Sequence, residues 1–470
     1  MESIIGREAE IRALTEIAGS GRPEFVAVYG RRRVGKTFLV RSAFKDKFVF
    51  YATGIIEGTY EQELEAFNIG LERYGWKGEK ATNWMQAFKM LAELLKSKCS
   101  RRTTRQVVFL DELPCFDTQG SGFIKALDFF WNASASWMDN IMFVVCGSAT
   151  SWMIKNLIHS RGGLHKRLTH DIPLHPFDLA TTEKYCRSRR GRWDRLSILQ
   201  AYTVLGGIPY YLSLLDFGES VAENIDRMFF SDDALLKDEY RALYRSMYTH
   251  PDGYMAIIER LAGIRQGMTR AELARALGVH DNGHFGDMLD DLVHCDFLRR
   301  YNNGTNENGG IYQLVDFFTL FYHQFGKRRT TDNHYWSNLL NDPAQNTFYG
   351  LAFERVCMWH FRKVIAALGV SGIHSEFYSW RSRRSEPSVQ IDMVIDRSDG
   401  VVNICEMKYS RLPYVMTKAE AERIELREAT FQSENPDKQW TQVALITTKG
   451  LKRNTHSSVA QKELTLDDLF

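Results

Sequence analysis

Apolar positions in the first third of the chain come as short unbroken runs. EFVAVYG (24–30), FVFYATG (48–54), RQVVFLDE (105–112) and IMFVVCGS (141–148) each have strand length and end on glycine, serine or acidic residues. Between them lie helical stretches such as FLVRSAF and WMQAFKMLAELLKSK. Buried strands alternating with helices predict a parallel α/β sheet. After Pro176 the apolar spacing turns helical as far as about Tyr244, which predicts an all-α lid. From Tyr254 to Phe317 the pattern reads as three helices and a glycine- and asparagine-rich hairpin: IIERLAG, MTRAELARALGV with Thr269 and Glu272 as a capping box, GHFGDMLDDLVHCDFL, then RRYNNGTNENGGIYQLVD. This is a winged-helix arrangement. From about Phe348 the order is helix (GLAFERVCMWHFRKVIAALG), three strands (HSEFYSW, VQIDMVID, VVNICEMK), a charged helix (TKAEAERIELREATF) and a strand (QVALITT).

A chain of 470 residues with 44% hydrophobic content is expected to form roughly three packed domains. Its formal net charge of +2 announces no nucleic-acid partner, so any basic surface must be local. Seven scattered cysteines with no CxxC pair argue against a disulfide framework or a thiolate zinc site and fit a reducing cytosol. With neither a signal-peptide pattern at the start nor an apolar run of membrane-spanning length, the expectation is a cytoplasmic protein with no membrane partner.

Gly30 to Thr37, GRRRVGKT, fits G-x-x-x-x-G-K-[ST], between a strand and a helix. Backbone N–H groups of such a loop converge on phosphate at a helix N-terminus, with Gly30 and Gly35 at the bends. Lys36 would neutralise the β- and γ-phosphates of ATP, and the Thr37 hydroxyl would ligate Mg²⁺. In VVFLDE, Asp111 would hold the Mg²⁺ through water and Glu112 would polarise the attacking water, which favours hydrolysis over phosphoryl transfer elsewhere.

Residues from IIGRE (Ile4 to Glu8) through GGIPYYL (Gly206 to Leu212) resemble the archaeal-type P-loop ATPases related to the AAA+ and STAND classes. The resemblance rests on IGRE, GRRRVGKT, FLDE, CGSATSWM, LHKRLT before IPLHPF, and GGIP. It implies that Gly6 and Arg7 lie near the adenine and that Ser148 is the sensor of the γ-phosphate. Gly207 and Pro209 would sit where the lid meets the nucleotide. Arg167 would be an arginine finger, acting in trans if the protein forms a homo-oligomer. LHK precedes Arg167 where relatives often carry an aromatic-glycine pair, and a salt-bridged helix residue is the competing role for it; a plain strand-end serine is the competing role for Ser148.

A second constellation lies near the end. Asp392 and Glu406 fall on neighbouring strands, and period-two alternation puts Lys408 on the same face as Glu406. Paired carboxylates bind Mg²⁺ or Mn²⁺ through hard oxygens, and an ammonium can hold the attacking water at a scissile phosphate. With Glu354 on the preceding helix, this order resembles the PD-(D/E)XK nuclease superfamily, with Ile391-Asp392 in place of the family's proline-aspartate pair. That resemblance makes Glu354, Asp392 and Glu406 metal ligands, Asp392, Glu406 and Lys408 catalytic, and Tyr409 a secondary candidate. In the archaeal-type ATPases such a block is a known companion domain.

Contacts to nucleic acid, with DNA the expected form, fall on Lys327-Arg328-Arg329 and on Arg381, Arg383 and Arg384 beside Trp380. Solvated loops are the alternative for both clusters. Asp287, Asp290 and Asp291 on the helix expected to face a groove would repel phosphate, leaving the winged helix at least as well suited to protein packing. RSRRGRWDR (187–195) reads as a lid surface.

The expected fold class is α/β: a P-loop parallel-sheet ATPase core (1–175), a helical lid (176–245), a winged-helix domain (246–325) and a restriction-endonuclease-like α/β domain (326–470). The expected function is ATP hydrolysis coupled to metal-dependent cleavage of nucleic acid. The alternatives are a STAND-like switch whose last domain binds DNA or partners without cutting, and a DNA-binding regulator with vestigial ATPase activity.

Overall fold

The computed structural model describes residues 4–98, 105–158, 167–248, 250–301, 310–328, 330–382, 389–438 and 440–470. The chain divides into two compact units, Met1–Pro176 with Ala242–Pro251, and Phe177–Arg241 with Asp252–Phe470.

The first unit is built on a parallel five-stranded sheet: β1 (Glu24–Tyr29), β2 (Phe50–Thr53), β3 (Gln106–Asp111), β4 (Ile141–Gly147) and β5 (His170–Pro173), in the order β2-β3-β4-β1-β5. β4 is buried along its whole length, as a strand covered on both faces must be, and this is why the apolar runs are unbroken. On one face Phe25 packs 4.9 Å from Trp131 and 5.2 Å from Phe143, while Trp84 meets Phe67, Phe116 and Phe123 edge-on. The order places β4 between β1 and β3, gathering the carboxyl ends of these three strands, where ligands of open parallel sheets bind. The sequence pattern did not reveal β5. It is a four-residue edge strand, paired with β1 from Val26–His170 to Tyr29–Pro173, and half its positions are polar.

In the second unit, residues 177–241 carry helices and no strand. The next segment runs helix (Pro251–Ala262), β6 (Met268–Thr269), helix (Arg270–Leu277), helix (Gly283–His294), β7 (Leu298–Tyr301) and β8 (Ile311–Leu314). Its small antiparallel sheet has the order β6-β8-β7. Thr269 and Glu272 form the capping box read from the sequence. The last segment carries β9 (Ser375–Arg381), β10 (Gln390–Arg397), β11 (Val401–Lys408), β12 (Tyr414–Val415), β13 (Trp440–Thr447), β14 (Leu451–Lys452) and β15 (Lys462–Thr465). β9, β10 and β11 form an antiparallel meander. The helix Lys418–Glu434 then crosses to β13, parallel to β11, in a sheet ordered β15-β13-β11-β10-β9.

The helix expected over 350–369 is in fact two, Pro343–Trp359 and Phe361–Ala367, interrupted at His360. The His360 ring is held from both sides. Its Nδ1 lies 2.9 Å from Val356 O, and its Nε2 accepts from Leu179 N at 3.2 Å, satisfying an orphan donor in the first turn of the helix Leu179–Ser188. Burial depresses this histidine's pKa, consistent with a neutral ring that accepts at Nε2.

Glu63 of the first unit is a buried carboxylate with no ion pair among the described residues. Glu63 is fully enclosed and accepts from Ile55 N at 2.9 Å. Burial raises its pKa to about 7, against 4.5 for the free side chain. The folded state binds this proton more tightly than the unfolded chain. The associated stability is therefore complete below about pH 4.5 and is lost as pH rises to about 7. Glu63→Gln should melt higher than the native protein at pH 8, with the difference shrinking toward pH 4.5; thermal melts across that range check it.

Candidate functional site

The loop between β1 and the helix Lys36–Phe44 is shaped by its glycines. Gly30 has φ +150°, and a Cβ there would lie 2.2 Å from Leu174 O; Gly35 has φ +90°. Neither position suits a side chain. Lys36 is buried, with Nζ donating to Gly30 O at 2.9 Å and Arg31 O at 3.0 Å, so the loop closes around its own ammonium. Thr37 Oγ1 donates to Asp111 Oδ2 at 2.8 Å, joining the loop's helix to the end of β3.

Asp111 is buried, and burial raises its pKa against hydrogen bonds from Cys146, Thr37 and the Glu112 amide. Cys146 on β4 donates its thiol to Asp111 Oδ1 at 2.8 Å, and burial pushes that thiol's pKa up. The sequence reading missed Cys146, because a lone strand cysteine carries no spacing signal. Glu112 takes a left-handed backbone (φ +46°), a strained conformation for a non-glycine residue. Its Oε2 accepts from Ser148 N at 3.0 Å and from Ser148 Oγ at 2.7 Å. Lys36, Thr37, Asp111, Glu112 and Ser148 thus converge at the carboxyl ends of β1, β3 and β4. The donor set fits a nucleotide with its cation: a buried ammonium inside a glycine-shaped loop, and a hydroxyl and carboxylate paired beside it.

Residues 4–215 match the family model described as an ATPase domain predominantly from Archaea. That stretch is similar to a P-loop ATPase domain. The chain is also similar to an uncharacterized protein of Methanocaldococcus jannaschii, 24% identical over 330 residues, 68% of each chain. Among solved structures it is similar to a Walker-type ATPase of Pyrococcus abyssi (18% identity, 69% of this chain and 97% of that one, TM-score 0.47). The ORC2 protein of Aeropyrum pernix is a further likeness (15% identity, 68% and 93%, TM-score 0.45).

Other residues expected at the ATPase site fall in varied places. Arg7 is buried and donates to Val34 O at 3.2 Å and His175 O at 2.7 Å, bracing the P-loop backbone. Gly6 (φ +70°) precedes it, with its N–H on Glu8. Arg167 is exposed in a turn, and the LHK before it lies outside the described residues. Gly207 and Pro209 belong to the second unit. A Cβ on Gly207 would lie 2.2 Å from Phe177 O, and Pro209 opens the helix Pro209–Ser213.

The second constellation is assembled within the second unit. Glu354 comes from the helix Pro343–Trp359, Asp392 from β10, and Glu406 and Lys408 from β11. Met393 pairs with Cys405, so Asp392 and Glu406 sit one step beyond that pair on adjacent strands. Lys408 Nζ lies 2.6 Å from Glu406 Oε1, as shared strand-face geometry requires, and Arg427 Nη1 lies 2.5 Å from Glu406 Oε2. Burial raises the Glu406 pKa, but Lys408 and Arg427 together hold it below the usual value. Burial raises Asp392, with Glu406 adding to the effect and Arg265 opposing it. Glu354 is pushed to about 7 by burial and by Asp392.

Sequence reasoning missed Arg265, Arg427 and Gln390. Arg265 Nη2 lies 2.5 Å from Glu354 Oε1 and 3.0 Å from Asp392 Oδ2, and its Nε 3.0 Å from Glu354 Oε2; Gln390 Nε2 donates to Asp392 Oδ1 at 3.0 Å. Arg427 could have been suspected as a basic residue on the helix following E-x-K; Arg265, in a loop without a motif, gave no signal. Among the described residues no group of three or more His, Cys, Asp or Glu is disposed to hold a metal ion. The three carboxylates here face protein cations. All three are partly buried oxygen donors, the ligand type that a hard divalent ion takes.

Tyr409 stands apart from the carboxylates, its hydroxyl accepting from Gln200 at 2.8 Å and its ring stacked on Tyr349. Trp380 corrects the sequence expectation: it is buried edge-on against Phe431, a core ring with no face for a base. Arg381 donates to Gln266, while Arg383 and Arg384 lie outside the described residues. Lys327 is 3.5 Å from Glu259 and Arg328 donates to Tyr335 at 2.8 Å; Arg329 lies outside the described residues. Asp291 accepts from Tyr254 at 2.7 Å, a packing role, and Arg187 and Arg195 both pair with Glu183, as a lid surface would. No helix among the described residues is long and apolar enough to cross a membrane.

Gly30→Ala should destabilise the first unit by at least about 2 kcal/mol, because the added methyl meets a carbonyl at sub-contact distance in a left-handed backbone. A thermal melt together with a nucleotide-binding titration checks both the stability and the loop.

Proposed function

We propose that the protein binds and hydrolyses ATP and that its second unit holds a divalent-metal centre that cleaves nucleic acid. The observation carrying the ATPase half is the Glu112–Ser148 pair beside Thr37–Asp111 and Lys36. Lys36 would face the β- and γ-phosphates, and Thr37 and Asp111 would hold the Mg²⁺. Bound there, Mg²⁺ would supply neutralisation of phosphate charge. Glu112 would orient the attacking water once Ser148 releases it, and the Ser148 hydroxyl would then be available to the γ-phosphate. Arg167, exposed in its turn, is the candidate to complete a neighbour's site in a homo-oligomer.

For the nuclease half, the supporting observation is the Glu354–Asp392–Glu406 set with Lys408 on the face of Glu406. Glu354, Asp392 and Glu406 would hold Mg²⁺ or Mn²⁺, which when bound would polarise the scissile phosphate. Lys408 would position the attacking water and meet developing charge. The segment over 246–325, with its helix–strand–helix–helix–hairpin order, would be a winged helix and 326–470 the restriction-endonuclease-like domain, after a core over 1–175 and a lid over 176–245. DNA is the assigned substrate. A second reading, a STAND-like ATP-dependent switch whose last domain does not cut, is favoured by one specific observation: each of the three carboxylates already faces a protein cation.

Lys36→Ala should abolish tight ATP binding, whereas Glu112→Gln should keep it and slow hydrolysis about a hundredfold. Equilibrium nucleotide binding and steady-state turnover separate the two; unchanged turnover in the glutamine variant removes Glu112 from catalysis.

Asp392→Ala, Glu406→Ala and Lys408→Ala should each abolish cleavage of plasmid or single-stranded DNA in Mn²⁺ while ATP binding persists, since ligands and lysine act as one unit. If the native protein cuts no nucleic acid with either metal, with or without ATP, the switch reading replaces this one.

A further inference from the structure

We propose that Arg265 is a built-in counter-cation that closes the carboxylate site, so that its contact with Glu354 and Asp392 and the binding of a divalent metal there exclude each other. This rests on the metal-centre reading of that site. Arg265 comes from neither the helix nor the strands that carry the carboxylates. It lies in the short connection between the helix Pro251–Ala262 and β6, and reaches Glu354 with two nitrogens and Asp392 with one. The guanidinium fork matches carboxylate geometry and takes up the oxygens a metal would need.

The connection is aimed. Gln313 on β8 donates to Arg265 O at 2.6 Å, Tyr301 on β7 donates to Gln266 O at 2.8 Å, and Arg381 on β9 donates to the Gln266 side chain. Three strands thus hold the backbone and the following side chain while the guanidinium spans the carboxylates. Charge assigns the rest. Glu406 is matched by Lys408 and Arg427, and among the described residues Arg265 is the cation in ion-pair contact with both Glu354 and Asp392. A divalent ion brings one more charge to that pair than the guanidinium does. Exchange is therefore electrostatically feasible, but only after an anchored side chain departs. A displaced guanidinium would also suit a phosphodiester, which it recognises by the same fork.

The test is Mn²⁺ binding by calorimetry and by thermal melting, on the full chain, for the native protein, Arg265→Ala and Arg265→Gln. Both variants should bind Mn²⁺ at least tenfold more tightly than the native protein. They should melt lower in chelator and gain more from Mn²⁺ than the native protein does. Adding Asp392→Ala to Arg265→Gln should abolish the gain. A purely structural arginine would lower the melting temperature without improving Mn²⁺ affinity, and that result overturns the proposal. Equal Mn²⁺ affinity with and without Arg265, lost in Asp392→Ala, removes the lock and leaves the metal centre standing. No Mn²⁺ binding in any protein tested removes both. If the alanine variant fails to fold, the glutamine variant decides on the same criteria.

Discussion

A carboxylate near the end of a buried strand must find hydrogen-bond donors or a positive partner, because leaving it ionised and unmatched costs several kcal/mol. Both candidate sites are arranged around that requirement. In the first unit Asp111 is matched mainly by neutral donors, Thr37, Cys146 and an amide, and Glu112 by Ser148. In the second, Glu406, Asp392 and Glu354 are matched by Lys408, Arg427 and Arg265. The difference is functional. Neutral donors orient a carboxylate and leave its charge available to a cation, whereas guanidinium groups consume it.

The ATPase site stores strain as well as charge. Glu112 keeps a left-handed backbone and Gly30 a conformation closed to other residues, both at the carboxyl edge of the sheet. The helix Leu113–Phe116 and the loop after β1 start from these two points, so the same backbone turns that cost energy also aim Glu112 and Lys36. Ser148 holds Glu112 by two hydrogen bonds, which turns the catalytic candidate into a group with a defined resting position.

How much was legible in the sequence follows from how local each signal is. The strands around GRRRVGKT and VVFLDE were readable because parallel strands buried on both faces are continuous apolar runs. The pairing of Glu406 with Lys408 followed from strand alternation alone. The missing pieces are all set by tertiary context. β5 is too short and polar to show a period. The interruption at His360 is a single residue inside an otherwise helical apolar spacing. Trp380 looked like a surface aromatic among arginines, yet its alternation placed it inward against Phe431. Arg265 sits in a loop, and only the folded chain brings it to Glu354 and Asp392.

The proposed reading puts two chemically distinct cation sites on one chain, one beside the glycine-rich loop and one among three carboxylates that Arg265 faces. Anomalous diffraction from crystals grown with Mn²⁺ and a non-hydrolysable ATP analogue tests it most directly. The account predicts one Mn²⁺ peak beside Thr37 and Asp111 and a second among Glu354, Asp392 and Glu406, with Arg265 turned away from them. A single peak at the nucleotide, with Arg265 still bridging Glu354 and Asp392 at saturating Mn²⁺, would contradict it.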